Sequence, residues 1–138
     1  MTQPRIIKSD QVQPQNIRGQ GKEAGQIKRI VATEKLFLNV DEVSPGFSPH
    51  RWHQHTKYAS EGYAVEYASD FEEIYFILSG RGVIQWKTDT GDVGEQAVGP
   101  GDTIHMPAGV VEHQLLNNGT EKIRLVVVGV PPPRRTRI

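Results

Sequence analysis

Apolar residues in this chain recur in short runs broken by turn signals, and no run holds the spacing of an amphipathic helix over a helix-length stretch. The clearest run is Glu73-Ile74-Tyr75-Phe76-Ile77-Leu78, a near-continuous apolar strand. Gly80-Arg81-Gly82 then turns the chain into a second strand, Val83 to Lys87, so the pair reads as a hairpin. Earlier, Leu36, Leu38 and Val40 alternate with Phe37, Asn39 and Asp41, as in a strand with one wetter face. That alternation turns Leu38 inward with Tyr75 and Ile77. Polar or glycine-proline turns follow at Ser44-Pro45-Gly46, Asp89-Thr90-Gly91-Asp92, Gly99-Pro100-Gly101-Asp102 and Pro107-Ala108-Gly109. Thr103 to Met106 is a short strand, and Val111 to Leu116 and Ile123 to Val130 close the sheet around the hairpin loop Asn117-Asn118-Gly119-Thr120. Short strands at regular spacing predict an all-β sandwich or barrel over residues 27–130.

The flanks differ. Residues 1–26 are polar and glutamine-rich, interrupted by Gly19, Gly21 and Gly25, and read as an extension with at most a short strand around Arg5 to Ile7. Residues 131–138 open with Pro131, Pro132 and Pro133, which remove three backbone donors, so this Pro/Arg-rich tail is expected to leave the ladder. Within the barrel, residues 56–72 hold Tyr58, Tyr63, Tyr67 and Phe71 at spacings that suit strand and helix equally. The conformation of that segment stays open.

A length of 138 residues suits one domain with a single core. Sixteen basic and sixteen acidic side chains give zero net charge, so no global field attracts nucleic acid or an anionic membrane. The chain has no cysteine, which excludes disulfides, thiolate nucleophiles and cysteine-based zinc sites. Without a signal-like or membrane-spanning apolar run, a cytoplasmic protein is the expectation.

Candidate chemistry starts at Arg51-Trp52-His53-Gln54-His55. In a strand, His53 and His55 share a face with Cα atoms about 6.6 Å apart, so two imidazoles can converge on one cation, while His50 points the other way. Phosphate loops, dinucleotide fingerprints and a Gly-x-Ser-x-Gly elbow are all missing, which argues against nucleotide-dependent and serine-hydrolase chemistry.

Two segments resemble the two signature motifs of the cupin superfamily. Gly46, His53, His55, Glu73 and Gly80 follow the first motif, and Gly101, Pro107, Gly109, His113 and Asn117 follow the second. Three spacings depart from the family pattern. Six residues separate Gly46 from His53 where five are usual, three separate Gly109 from His113 where two are usual, and 17 separate His55 from Glu73. A bulge would absorb either of the first two, and the second leaves Glu112 as a rival to His113; the third makes residues 56–72 an insertion beside the site, a candidate aromatic lid.

The resemblance implies a cupin-type double-stranded β-helix, a jelly-roll barrel. It also implies one divalent transition metal (Fe, Mn, Ni, Co or Zn) held by His53, His55, Glu73 and His113. Tyr75, Gln85, His105 and Tyr63 are candidates to line the pocket. The expected function is a metal-dependent enzyme acting on a small polar organic molecule, either a dioxygenase or a non-redox lyase, isomerase or decarboxylase. A non-catalytic ligand-binding or sensor cupin is the alternative, because the same barrel serves both. A homodimer is expected, with no nucleic-acid or membrane partner.

Overall fold

The β-branched and aromatic runs form strands, and what closes them into a barrel is the way the strands change sheets. The computed structural model describes residues 3–17, 19–50, 57–60, 63–67, 72–88, 90–107, 112–130 and 133–137, with backbone alone for 57–60, 63–67 and 133–137. The strands are β1 (Gln15–Asn16), β2 (Gly25–Ala32), β3 (Phe37–Val43), β4 (Lys57–Ser60), β5 (Tyr63–Tyr67), β6 (Glu72–Ser79), β7 (Gly82–Lys87), β8 (Val93–Val98), β9 (Thr103–Met106), β10 (His113–Leu116), β11 (Ile123–Val130) and β12 (Pro133–Arg137). Among the described residues the only helices are two single 3-10 turns, Ser9–Gln11 and Lys22–Ala24, and no helix is long and apolar enough to cross a membrane.

A six-stranded antiparallel sheet runs β1-β2-β3-β11-β6-β9, and a three-stranded sheet runs β10-β7-β8. Their inner faces meet in one cluster that includes Ile27, Val43, Tyr75, Ile77, Ile84, Leu115, Leu125 and Val127. Strand alternation is strict on β6, where Glu73, Tyr75 and Ile77 are buried and Glu72, Ile74, Phe76 and Leu78 are exposed.

Two predicted hairpins are absent. β6 pairs with β11 and β9, whereas β7 pairs with β10 and β8, so Gly80 carries the chain from one sheet to the other. β10 and β11 likewise belong to different sheets. Local turn chemistry reads the same whether the next strand pairs back or crosses over. Gly80 has a φ of 83°, and a Cβ there would sit 2.3 Å from the carbonyl oxygen of Lys122, so only glycine fits the crossing.

Asn117 secures this end. Its side-chain amide donates to the carbonyls of Val43 (2.9 Å) and Glu121 (2.8 Å), and its Oδ1 accepts from the Gly119 amide (3.0 Å). Its own backbone accepts from Gly46 (2.7 Å) and donates to Phe47 (2.9 Å). One buried residue thus ties the end of β3, the loop after it and the β10–β11 crossing.

Other expectations change too. Residues Arg5 to Ile7 form no strand; the N-terminal pairing is β1 with β2. Leu38 faces outward, and β3 turns Asn39, Asp41 and Val43 inward, because burial in the sheet overrides the apolar-in reading of its alternation. Within residues 56–72, β4 and β5 pair antiparallel, and the tail adds β12 to them in a third sheet, β12-β5-β4, with Pro133 opposite Tyr67. Pro133 is tolerated because it opens an edge strand, where a missing N–H costs no ladder bond.

Asp41 is the costly member of the interior. It is fully buried, and among the described residues neither carboxylate oxygen has a hydrogen-bond partner. Burial, reinforced by the Glu73 carboxylate and only partly offset by the Arg29 guanidinium, pushes Asp41 up from 3.8 to about 8. The folded protein therefore holds a proton that the unfolded chain releases above about pH 4. Stability contributed by the protonated acid is complete below pH 3.8 and is lost as the pH rises through about 8.

Two predictions follow from this interior. Asn117→Ala strands the Val43 and Glu121 carbonyls and should cost about 2–4 kcal/mol in urea unfolding; a loss under about 0.5 kcal/mol would show the amide is dispensable. In metal-free protein, Asp41→Asn should gain on the wild type by up to about 1.4 kcal/mol per pH unit between pH 5 and 8. Parallel pH–stability curves for the two would contradict a neutral, buried Asp41.

Candidate functional site

The crossings at Gly80 and Asn117 gather at one end of the barrel, so the starts of β6 and β10 and the end of β7 lie at the other. Glu73 is the second residue of β6, and alternation turns it inward beside Tyr75; it is 4 % exposed. His113 opens β10 and is 1 % exposed, on the same inward face as Leu115. Two proposed ligands, forty positions apart in sequence and on opposite sheets, thus project into the same interior at the same end.

His53 and His55 lie outside the described residues, as does the side chain of Tyr63; the backbone of Tyr63 sits in β5 opposite Arg137 and Ser60. Among the described residues no three His, Asp or Glu side chains gather closely enough to hold a cation, with half of the expected set outside that group. The donors that are described fit a divalent transition metal: a buried imidazole and a buried carboxylate are the borderline nitrogen and hard oxygen ligands such ions take.

Glu112, the rival of His113, forms a 2.7 Å ion pair with Lys87 Nζ on the partly exposed surface. Of the pocket candidates, Tyr75 is buried on the inner face (1 % exposed). Gln85 faces the other way from Ile84 and Trp86; its amide donates to Glu95 Oε2 (3.0 Å) and its Oε1 accepts from Gln114 (2.8 Å). Gln85 is therefore outside the pocket, because the alternation of β7 gives the interior to its even-numbered residues. His105 does line the cavity described below, and its ring pairs with Glu72 on the outer face of the large sheet, about half exposed. Only Met106 and Ile104 turn inward from β9.

A cavity of about 500 Å³ opens beside these positions, between the unpaired edges of β8 and β9, and His113, Trp86, Ile84, Val98, Ile104 and Met106 contribute to its wall. The register explains its makeup. Met106 is the cross-strand partner of Glu73, and Trp86 is the cross-strand partner of His113, so each proposed ligand has an apolar neighbour lining the cavity. Trp86 and Met106 went unnoticed in the sequence; the strand alternation Ile84, Trp86 was the available signal.

The comparisons with known proteins agree with this architecture. Residues 64–129 match a family described as Cupin domain. No curated protein matches the sequence. A polyketide cyclase from Streptomyces resistomycificus is similar in structure, with TM-score 0.67 and 22% identity over 99% of this chain and 87% of that one. A sugar phosphate isomerase of the cupin superfamily from Silicibacter pomeroyi gives TM-score 0.69 at 16% identity, over 97% and 82% of the two chains. A predicted oxalate decarboxylase from Thermotoga maritima gives 0.65 at 20%, over 93% and 100%. At these identities the likeness carries the fold, and the reactions belong to those proteins. With a double-stranded β-helix built from two antiparallel sheets, and residues 64–129 from β5 to β11 matching the Cupin domain family, the chain has a cupin-type fold.

Proposed function

We propose that this protein is a metal-dependent enzyme that acts on a small organic molecule with a polar reacting group, at a centre of His53, His55, Glu73 and His113. The observation that supports it most is the placement of Glu73 and His113, which two separate motifs name and which are buried on facing sheets at one end of the barrel. Three neutral imidazoles and one carboxylate leave a set of charge −1, which a divalent Fe, Mn, Ni, Co or Zn ion offsets. When bound, such an ion supplies Lewis-acid polarisation of an oxygen on the substrate. The protein's own contribution is to fix two donors in strand backbone, and to set Tyr75, Met106 and Trp86 next to them so that bulk water is reduced around the reacting group. The reaction is a dioxygenation or a non-redox lyase, isomerase or decarboxylase step, since these ligands serve either. The named structural neighbours, a cyclase, an isomerase and a predicted decarboxylase, favour the second group.

A second copy of the chain is the proposed partner. Ile74, Phe76 and Leu78 are each about two-fifths exposed on the outer face of the large sheet, in rows with Val126, Val128, Leu38 and Val40. Zero net charge places no electrostatic barrier between copies, and two such faces can pack at about 10 Å as sheets do.

Metal analysis of tag-free protein tests the centre: His53→Ala with His113→Ala should lower metal affinity by at least about 10- to 100-fold, and Glu112→Ala should leave it unchanged. Unaltered metal in the double variant would refute the assignment, and loss in Glu112→Ala with His113→Ala silent would transfer the ligand role to Glu112. For the assembly, light scattering should give a dimer for the wild type and a monomer for Phe76→Lys; a wild-type monomer at micromolar concentration would remove it.

A further inference from the structure

The cavity beside the proposed centre has a shape that the ligand motifs do not specify, and that shape rests on one glycine. In the three-stranded sheet the register aligns His113, Trp86 and Gly94 in a single row across β10, β7 and β8. Residues in such a row share a face, so Trp86 lies on the interior face directly beside His113, and Gly94 lies directly beyond it. A Cβ at position 94 would stand 2.5 Å from Cε2, 2.6 Å from Nε1 and 2.7 Å from Cζ2 of the Trp86 indole. The indole therefore rests against the bare backbone of Gly94. Any side chain at position 94 would force the ring off the strand. Here the glycine serves a close approach rather than an unusual φ.

The opposite wall comes from the edge strand of the other sheet. Ile104 and Met106 are 9 % and 5 % exposed and face inward, and Met106 is the register partner of Glu73. The space of about 500 Å³ thus runs sideways from the His113 position, with an aromatic face on one side, a branched aliphatic and a thioether on the other, and Gln96, Asp102, Thr103 and His105 as its polar lining. Its volume falls in the range of about 300–1,000 Å³ that holds small organic ligands. Aromatic and thioether groups favour contact with a flat π-system beyond what area burial alone contributes.

Resting on the metal-centre reading above for which end of the substrate reacts, we propose that the cavity is a slot for a substrate with a planar, conjugated carbon body. Its polar group is directed to the His113 end, its flat body stacks on Trp86, and Gly94 determines specificity by keeping the indole against β8. A substrate with a puckered saturated ring of the same carbon skeleton is selected against, because it cannot lie flat on the indole.

Calorimetric titration with 2-naphthoate and decahydro-2-naphthoate, which share skeleton and carboxylate and differ in planarity, tests this. Wild-type protein as purified should bind the planar probe about five- to tenfold more tightly. Trp86→Leu and Gly94→Ala should each bring that ratio close to one, with melting curves verifying that the variants fold, while Trp86→Phe should keep part of the preference. Equal affinity of the two probes for the wild type, or an undiminished ratio in folded Trp86→Leu, would overturn the proposal. Metal content measured on the same samples separates the two readings. Planar preference in protein that binds no metal keeps the slot and removes the centre, whereas bound metal with no preference removes the slot and keeps the centre.

Discussion

The Asn117 side chain answers a problem that any barrel made from two sheets must solve. Where a strand leaves one sheet for the other, its ladder stops and its last carbonyls lose their partners while still buried. At this end of the protein β6 and β10 leave their sheets and β3 ends beside them, and the amide of Asn117 takes the carbonyls of Val43 and Glu121 while Gly80 admits the close approach of the Lys122 backbone. With the crossings secured here, the starts of β6 and β10 at the far end are held by pairing on both strands. Glu73 and His113 inherit their positions from that arrangement.

An interior built this way carries unusual charge for its size. Asn39, Asp41 and Glu73 line the inner face of the large sheet among aliphatic residues, and two carboxylates in one low-dielectric space oppose each other's ionisation. Burial, with the Glu73 carboxylate nearby, pushes Asp41 up to about 8, so it holds its proton at neutral pH. A bound cation would lessen the repulsion between them, so the energetics of the core and the proposed chemistry point in the same direction.

The cavity extends that logic sideways. β8 and β9 are both sheet edges and do not pair with each other, so the two sheets part there and leave room beside the proposed ligands. Neighbours of the same fold include proteins named for cyclisation and for isomerisation, which is expected when the barrel and its ligand strands are constant and the walls differ. In this chain the apolar walls are Trp86 on Gly94 and the inward residues of β9.

By itself the sequence determined the strand composition, the turns and the motif residues. Each of these is local: alternation on β6 turns Glu73, Tyr75 and Ile77 to one side whatever the strand pairs with, and the spacing from Gly101 to Pro107 is set by chain geometry. Which strands pair is not local, and there the tertiary structure alone decided. The Gly80–Gly82 turn and the Asn117–Thr120 loop join strands of different sheets instead of hairpins, because the partners of β6 and β10 arrive from distant parts of the chain. The same cause explains Leu38: its alternation was visible, but the face of β3 that meets the core was chosen by packing against β11, which buries Asn39 and Asp41. It explains Gln85, which lies on a strand that lines the cavity yet points away from it, and it explains Pro133, accepted into β12 because that strand is an edge. The row from His113 through Trp86 to Gly94 joins residues 113, 86 and 94, and only the pairing of three strands brings them side by side.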